Sequence, residues 1–327
     1  MSSSLKFMKS KIKVKVSFFH GDADMSRYFS KEFFQEYQFE VNNPSCIECD
    51  FWIVYGGLPD KKEVAFVNTN NIFLFTAEFE GGYSQKFLQQ FHKVITVDTK
   101  LQGNNIVYSQ LGMPWFINEN FDKMYHQQNI TKTKLISIVA SNYSDINYTR
   151  NYKIRYDFVM ALKKYFGNEI DIFGRGFNEI KYKEDGLLPY KFSVAIENMP
   201  LPFWMTEKLY DCYLTHTFPL YFDCPNINRF FNKEAYAKLD IMDHDYSIKM
   251  IEKIINTRNY YEDYLDALIE AKKKYLLEYS FQAVMIKAIE QYGNVKAEKQ
   301  RIYIKPDNKL RSKIRLKLID LVYKTFK

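Results

Sequence analysis

Short apolar runs alternate with amphipathic and turn-rich stretches along most of the chain. Lys13–Phe19 (KVKVSFF) alternates polar and apolar residues, the two-residue period of a strand. Ser26–Tyr37 sets Tyr28, Phe29, Phe33, Phe34 and Tyr37 at helical spacing and predicts a helix. Cys49–Tyr55, ended by Gly56-Gly57, reads as a strand. So do Ile72–Thr76 and Lys93–Val97, with a short helix at Phe87–Phe91 between them. Strand and helix alternate over short connections, which predicts a mostly parallel sheet.

Asn118–Lys134 is polar without clear period and is expected to link two domains. A second α/β pattern follows. Leu135–Ala140, Ile170–Phe173, Phe192–Ile196 and Phe218–Phe222 read as strands. Arg155–Phe166, Thr206–His216, Ser247–Asn256 and most of Glu262–Tyr292 read as helices. The expected division is 1–125, 126–300 and a tail, 301–327. Two α/β units of this kind hold ligands at the C-terminal ends of their strands.

Composition narrows the class. The 327 residues are 46% hydrophobic, 26% charged and 17% aromatic, with 12 Gly and 9 Pro. That excludes disordered and collagen-like chains. No apolar run reaches the roughly 18 residues of a transmembrane helix. Lysines interrupt the N-terminal stretch, so no signal peptide is expected. Four Cys are too few for a disulfide framework and favour a reducing, cytoplasmic setting. The net charge is +7, and residues 309–327 carry seven basic residues against one acid. The body is thus nearly neutral, which argues against nucleic acid. In the tail, Leu310, Ile314, Leu318, Leu321 and Val322 share one helical face opposite Lys and Arg. This pattern suits peripheral contact with an anionic membrane, each basic residue adding about 1 kcal/mol.

The chemistry concentrates in Tyr190–Ile227. A strand ends at Ile196, a loop with Pro200 and Pro202 follows, and Thr206 is a good helix N-cap. Free N–H groups at that helix start, with Lys208 beside them, predict an anion site suited to a diphosphate. Glu207 would repel phosphate and pairs more naturally with a ribose hydroxyl. The bland alternative is a capped surface helix with a solvated Glu–Lys pair.

Ile196-Glu197-Asn198, Trp204-Met205-Thr206-Glu207-Lys208, Pro219-Leu220-Tyr221 and Pro225-Asn226-Ile227 stand in the order of the C-terminal signature of the family 10 fucosyltransferases, which this segment resembles. Upstream, Ala140-Ser141-Asn142 with Arg155 is similar to the family's Ser-Asn…Arg segment. Phe75-Thr76-Ala77-Glu78 is similar to its Thr-Gly-Glu, and Met113-Pro114 to a following Met-Pro. The likeness spans about residues 13–290. It departs at Tyr221-Phe222-Asp223, where the family has Tyr-Trp-Gly, at Trp204 in place of Tyr, and at Ala77 in place of Gly.

The resemblance implies a GT-B fold: two Rossmann-like domains facing a cleft, with acceptor on the first and donor on the second. It implies inverting transfer of L-fucose from GDP-fucose to a glycan hydroxyl, without a metal, in surface polysaccharide or lipopolysaccharide synthesis. By position it makes Glu78 the general base. Arg155 and Lys208 hold the diphosphate, Glu207 holds the ribose, and Asn198 and Trp204 line the donor pocket. Glu80 is the nearest rival base. The expected location is the inner face of the cytoplasmic membrane. Two alternatives stand beside it: a GT-B enzyme for another activated deoxysugar, and a non-catalytic membrane- or nucleic-acid-binding protein.

Other motifs carry less. Asp22-Ala23-Asp24 reads as a turn and cap rather than a metal motif, and Asp243-His244-Asp245 as a polar loop. Cys46 and Cys49 lack a matching second pair for zinc. Gly174-Arg175-Gly176 lacks the third Gly of a dinucleotide fingerprint and reads as a turn.

Overall fold

The computed structural model describes residues 10–19, 24–58, 61–77, 82–141, 150–222 and 224–307. Glu78, Glu80, Asp22, Asn142, Asp223 and the basic tail at 309–327 lie outside the described residues. The chain forms two compact units. One runs to Ser109 and resumes at Met285; the other is Gln110–Val284.

The first unit contains β1 (Ile12–Phe18), β2 (Tyr37–Val41), β3 (Phe51–Tyr55), β4 (Glu63–Val67), β5 (Ile72–Phe75), α1 (Gln85–Leu88), β6 (Lys93–Thr96) and β7 (Ile106–Tyr108). Six of these strands form one sheet in the order β2-β1-β3-β5-β6-β7, every pair parallel. β3 (FWIVY) and β5 (IFLF) are buried at every position. Continuous apolar runs are what a parallel sheet covered on both faces needs. Trp52, Val54, Leu74, Phe87 and Val94 belong to the core cluster, together with the thiols of Cys46 and Cys49.

The helix expected over Ser26–Tyr37 does not form. Ser26–Tyr28 makes a single 3-10 turn, Phe34 takes a left-handed φ of 59°, and Tyr37 opens β2. Ser30 Oγ accepts from Phe33 N at 2.8 Å, a local turn that competes with helix. The aromatic spacing serves packing instead: Phe29 lies 4.9 Å from Phe39 of β2.

The second unit contains α2 (Phe121–His126), β8 (Lys134–Val139), α3 (Arg150–Phe166), β9 (Ile170–Phe173), β10 (Tyr190–Ile196), α4 (Glu207–Leu214), β11 (Phe218–Phe222), β12 (Ala237–Lys238), α5 (His244–Asn256), α6 (Tyr260–Asp263) and α7 (Leu265–Lys274). Its sheet runs β12-β11-β10-β8-β9, again all parallel. Within the stretch read as a linker, Phe121–His126 forms α2, capped by Asn120, with Phe121 and Met124 buried. Lys132 is anchored there too. Its ammonium donates to Thr215 O at 2.8 Å, Leu188 O at 3.0 Å and Thr217 Oγ1 at 3.0 Å.

A π-helical turn at Tyr275–Tyr279 leads into α8 (Phe281–Tyr292). The chain then rejoins the first unit, where β13 (Gln300–Ile304) pairs antiparallel with β4. Asn71 fixes this return: its Nδ2 donates to Asn294 O and its Oδ1 accepts from Asn294 N, both at 2.9 Å. Among the described residues, no helix is long and apolar enough to cross a membrane.

Candidate functional site

In the second unit the strand order reverses at β8, whose neighbours are β9 and β10. Such a switch leaves a crevice at the C-terminal strand ends, the place where open parallel sheets bind ligands. A shallow pocket lies there. The end of β8 supplies Ala140 and Ser141, the end of β10 supplies Ile196, and the start of α3 supplies Tyr152, Arg155 and Tyr156.

Two sequence-named residues meet at this point. Arg155 Nη1 donates to Asn198 Oδ1, and the Arg155 guanidinium lies over the Tyr152 ring at 5.8 Å. A planar fork with several donors matches phosphate geometry better than a point charge does.

A second cluster forms around the start of α4. Thr206 is its N-cap, as expected, and its Oγ1 accepts from Lys208 N at 3.3 Å. Of the N–H groups expected to be free at the helix start, Lys208 N is taken by Thr206 Oγ1 and Leu209 N by Thr206 O at 3.1 Å. Lys208 Nζ sits 2.7 Å from Glu207 Oε1 and 4.0 Å from Glu197 Oε2. Burial pushes the Glu207 carboxyl up, but Lys208 and Lys183 outweigh it and hold it at about 2. Glu207 is thus a firm carboxylate, able to accept hydroxyl hydrogen bonds. Trp204 is buried in the loop before Thr206. That loop is pinned by Phe203 N donating to Asn226 Oδ1 at 2.9 Å.

Sequence reasoning gave no role to three groups here. Glu197, whose side chain is fully out of water, directly follows β10. Its Oε1 accepts from Thr206 N at 2.8 Å and from Tyr221 Oη at 3.2 Å, and its Oε2 from Thr206 Oγ1 at 2.7 Å. Burial raises its pKa. The others are Lys183 and Asp211 of α4, an ion pair at 2.7 Å. Asp211 also accepts from Phe116 N at 3.1 Å. Asp211 and Glu207 keep the Lys183 ammonium protonated despite its burial. A carboxylate closing an apolar strand was the one legible signal, since such a group must find donors when buried.

Gly174-Arg175-Gly176 is a structural turn, as expected. Gly174 has φ 115°, and a Cβ there would stand 2.1 Å from Ala140 O. Among the described residues, no group of three His, Cys, Asp or Glu could hold a metal ion.

Two parallel, Rossmann-like units give the α/β GT-B fold class that the sequence leads one to expect. Residues 129–301, more than half of the chain, match the family model for the C-terminal part of glycosyltransferase family 10 (fucosyltransferase). The chain belongs to that family. Over 131 residues it is 30% identical to the α-(1,3)-fucosyltransferase FucT of Helicobacter pylori, a stretch covering 39% of this chain and 27% of that one. The match therefore spans about a quarter of that relative's length. A solved α1,3-fucosyltransferase with GDP-fucose aligns at 19% identity and TM-score 0.49, covering 90% of this chain and 96% of that one. Another, with GDP, aligns at 21% identity and TM-score 0.47, covering 86% and 94%.

Proposed function

We propose that the chain is an inverting fucosyltransferase that moves L-fucose from GDP-fucose to a hydroxyl of a glycan acceptor. Family membership gives the reaction class. The observation that carries the reading is the Arg155–Asn198 contact at the strand-order switch of the second unit.

The chemistry asks little of the protein. The acceptor hydroxyl loses its proton to a base as its oxygen attacks the anomeric carbon of fucose. The bond from that carbon to the diphosphate breaks, and GDP leaves with the bonding electrons. Fixed cations compensate its growing charge. Arg155 and Lys208 take that part, while Glu207 accepts from the ribose hydroxyls. Asn198 and Trp204 shape the donor pocket. Glu78, three positions past the end of β5, takes the proton. None of these residues is a metal ligand in this reading, and the donor is bound without one. The acceptor belongs to a surface polysaccharide or lipopolysaccharide precursor, and residues 309–327 hold the enzyme on an anionic cytoplasmic membrane face.

A second donor is favoured by one departure from the family pattern. Tyr221-Phe222-Asp223 replaces Tyr-Trp-Gly, so another GDP-deoxyhexose is the alternative substrate. The test is mass-spectrometric transfer from GDP-fucose and from related GDP-deoxyhexoses to N-acetylglucosamine-containing acceptors. Glu78→Gln should abolish transfer and leave GDP affinity within about twofold, because a base acts on the acceptor alone. Near-normal turnover by that variant overturns the base assignment.

A further inference from the structure

We infer that Glu197 is a positioning residue that aims Lys208 at the donor diphosphate by fixing the proton of the Thr206 hydroxyl; this rests on the donor-site reading above. The carboxylate is buried at the end of β10 and has three directed donors. Two of them, Thr206 N at 2.8 Å and Tyr221 Oη at 3.2 Å, share Oε1. The third, the Thr206 hydroxyl, points at Oε2 from 2.7 Å.

That last bond sets the chain of polarity. A hydroxyl has one proton. Both Glu197 and Glu207 stand within reach of this hydroxyl; with the proton on Glu197 Oε2, 2.7 Å away, Thr206 Oγ1 accepts on its other side. There it meets two donors of the same residue, Lys208 N and Lys208 Nζ, each at 3.3 Å. Glu197 Oε2 itself lies 4.0 Å from Lys208 Nζ, close enough to attract the ammonium but without a hydrogen bond to it. The ammonium is thus held by two acceptors, Thr206 Oγ1 at 3.3 Å and Glu207 Oε1 at 2.7 Å. An ordered point charge binds an anion better than one that must be ordered on binding.

Replacing Glu197 by Gln preserves an acceptor for Thr206 N but offers an amide where the hydroxyl proton points. The hydroxyl must then turn, and its lone pairs no longer face Lys208. The effect passes through Lys208, which distinguishes it from a general loss of packing.

A double-mutant cycle reads this directly, with GDP as the probe and calorimetric Kd as the observable on the full chain. Glu197→Gln should weaken GDP binding about tenfold when Lys208 is present, the size of one ordered charge-assisted contact. In a Lys208→Met background the same substitution should change Kd less than about twofold. Thr206→Val should mimic Glu197→Gln, and Thr206→Ser should bind as the parent does; this pair keeps the test open if Glu197→Gln fails to fold. Unchanged binding in Glu197→Gln, or an equal loss in both backgrounds, overturns the inference. If the parent itself binds no GDP, or Lys208→Met binds as tightly as the parent, the donor-site reading has failed and the inference goes with it.

Discussion

Arg155 Nη1 donates to Asn198 Oδ1, joining the second turn of α3 to the residue two past the end of β10. The bond crosses the line where the strand order of the second unit reverses. It fixes the guanidinium plane at the mouth of the pocket, so a diphosphate would meet a fork already oriented. Arg155→Lys keeps the charge and loses the fork, and should weaken GDP binding at least about tenfold. Asn198→Ala should cost less, because it frees the fork without removing it. Titration calorimetry with GDP checks both, and equal affinity for the parent and Arg155→Lys would contradict the role.

His216 makes the fold sensitive to acid. It is buried just past α4, with Nε2 lacking a hydrogen-bond partner among the described residues. Burial, with Lys272 and Lys132 nearby, lowers its pKa from 6.5 to about 3. Between those values the unfolded chain binds more protons than the folded one. Stability therefore falls as pH drops below about 6.5. His216 has φ 51°, a conformation Asn also tolerates. His216→Asn should flatten the decline of the unfolding midpoint between pH 7 and 5, as read by urea denaturation at each pH. An unchanged slope would contradict this.

Gly174 cannot be replaced cheaply. Its φ of 115° is open to little but Gly, and a Cβ would meet backbone, Ala140 O at 2.1 Å. Gly174→Ala should destabilise by more than about 2 kcal/mol, measured by chemical denaturation. Because Ala140 lines the pocket, the same variant should also lose GDP affinity.

Ala77 runs the other way. It stands where the family pattern has Gly, and it keeps a left-handed φ of 60°. An Ala in that conformation costs about 1 kcal/mol. Ala77→Gly should raise stability by roughly that amount, and a fall would mean that the buried Cβ packs better than the strain costs.

The parallel strands were legible because each is short, apolar and flanked by turns; β3, β5 and β10 bury nearly every position. α3 and the Thr206 cap of α4 were legible for the same local reasons. Ser26–Tyr37 misled because aromatic residues recur at helical spacing for packing, while Ser30 and Phe34 turn the backbone. The pairing of β13 with β4 left no trace, since its partners are far apart in sequence and each strand reads alone. At the site, Arg155, Asn198, Glu207 and Lys208 were named from a motif. Glu197 stands inside that motif without a role, because only folding brings Thr206 and Tyr221 onto its carboxylate.

Nucleotide selectivity tests the central claim most directly. In a thermal-unfolding screen, GDP at 100 times its Kd should add about 2.7 kcal/mol of stability, while UDP, CDP and ADP at the same concentration add little. Arg155→Ala should erase the GDP response. An equal response to UDP, no response to GDP, or a full GDP response in Arg155→Ala would contradict it.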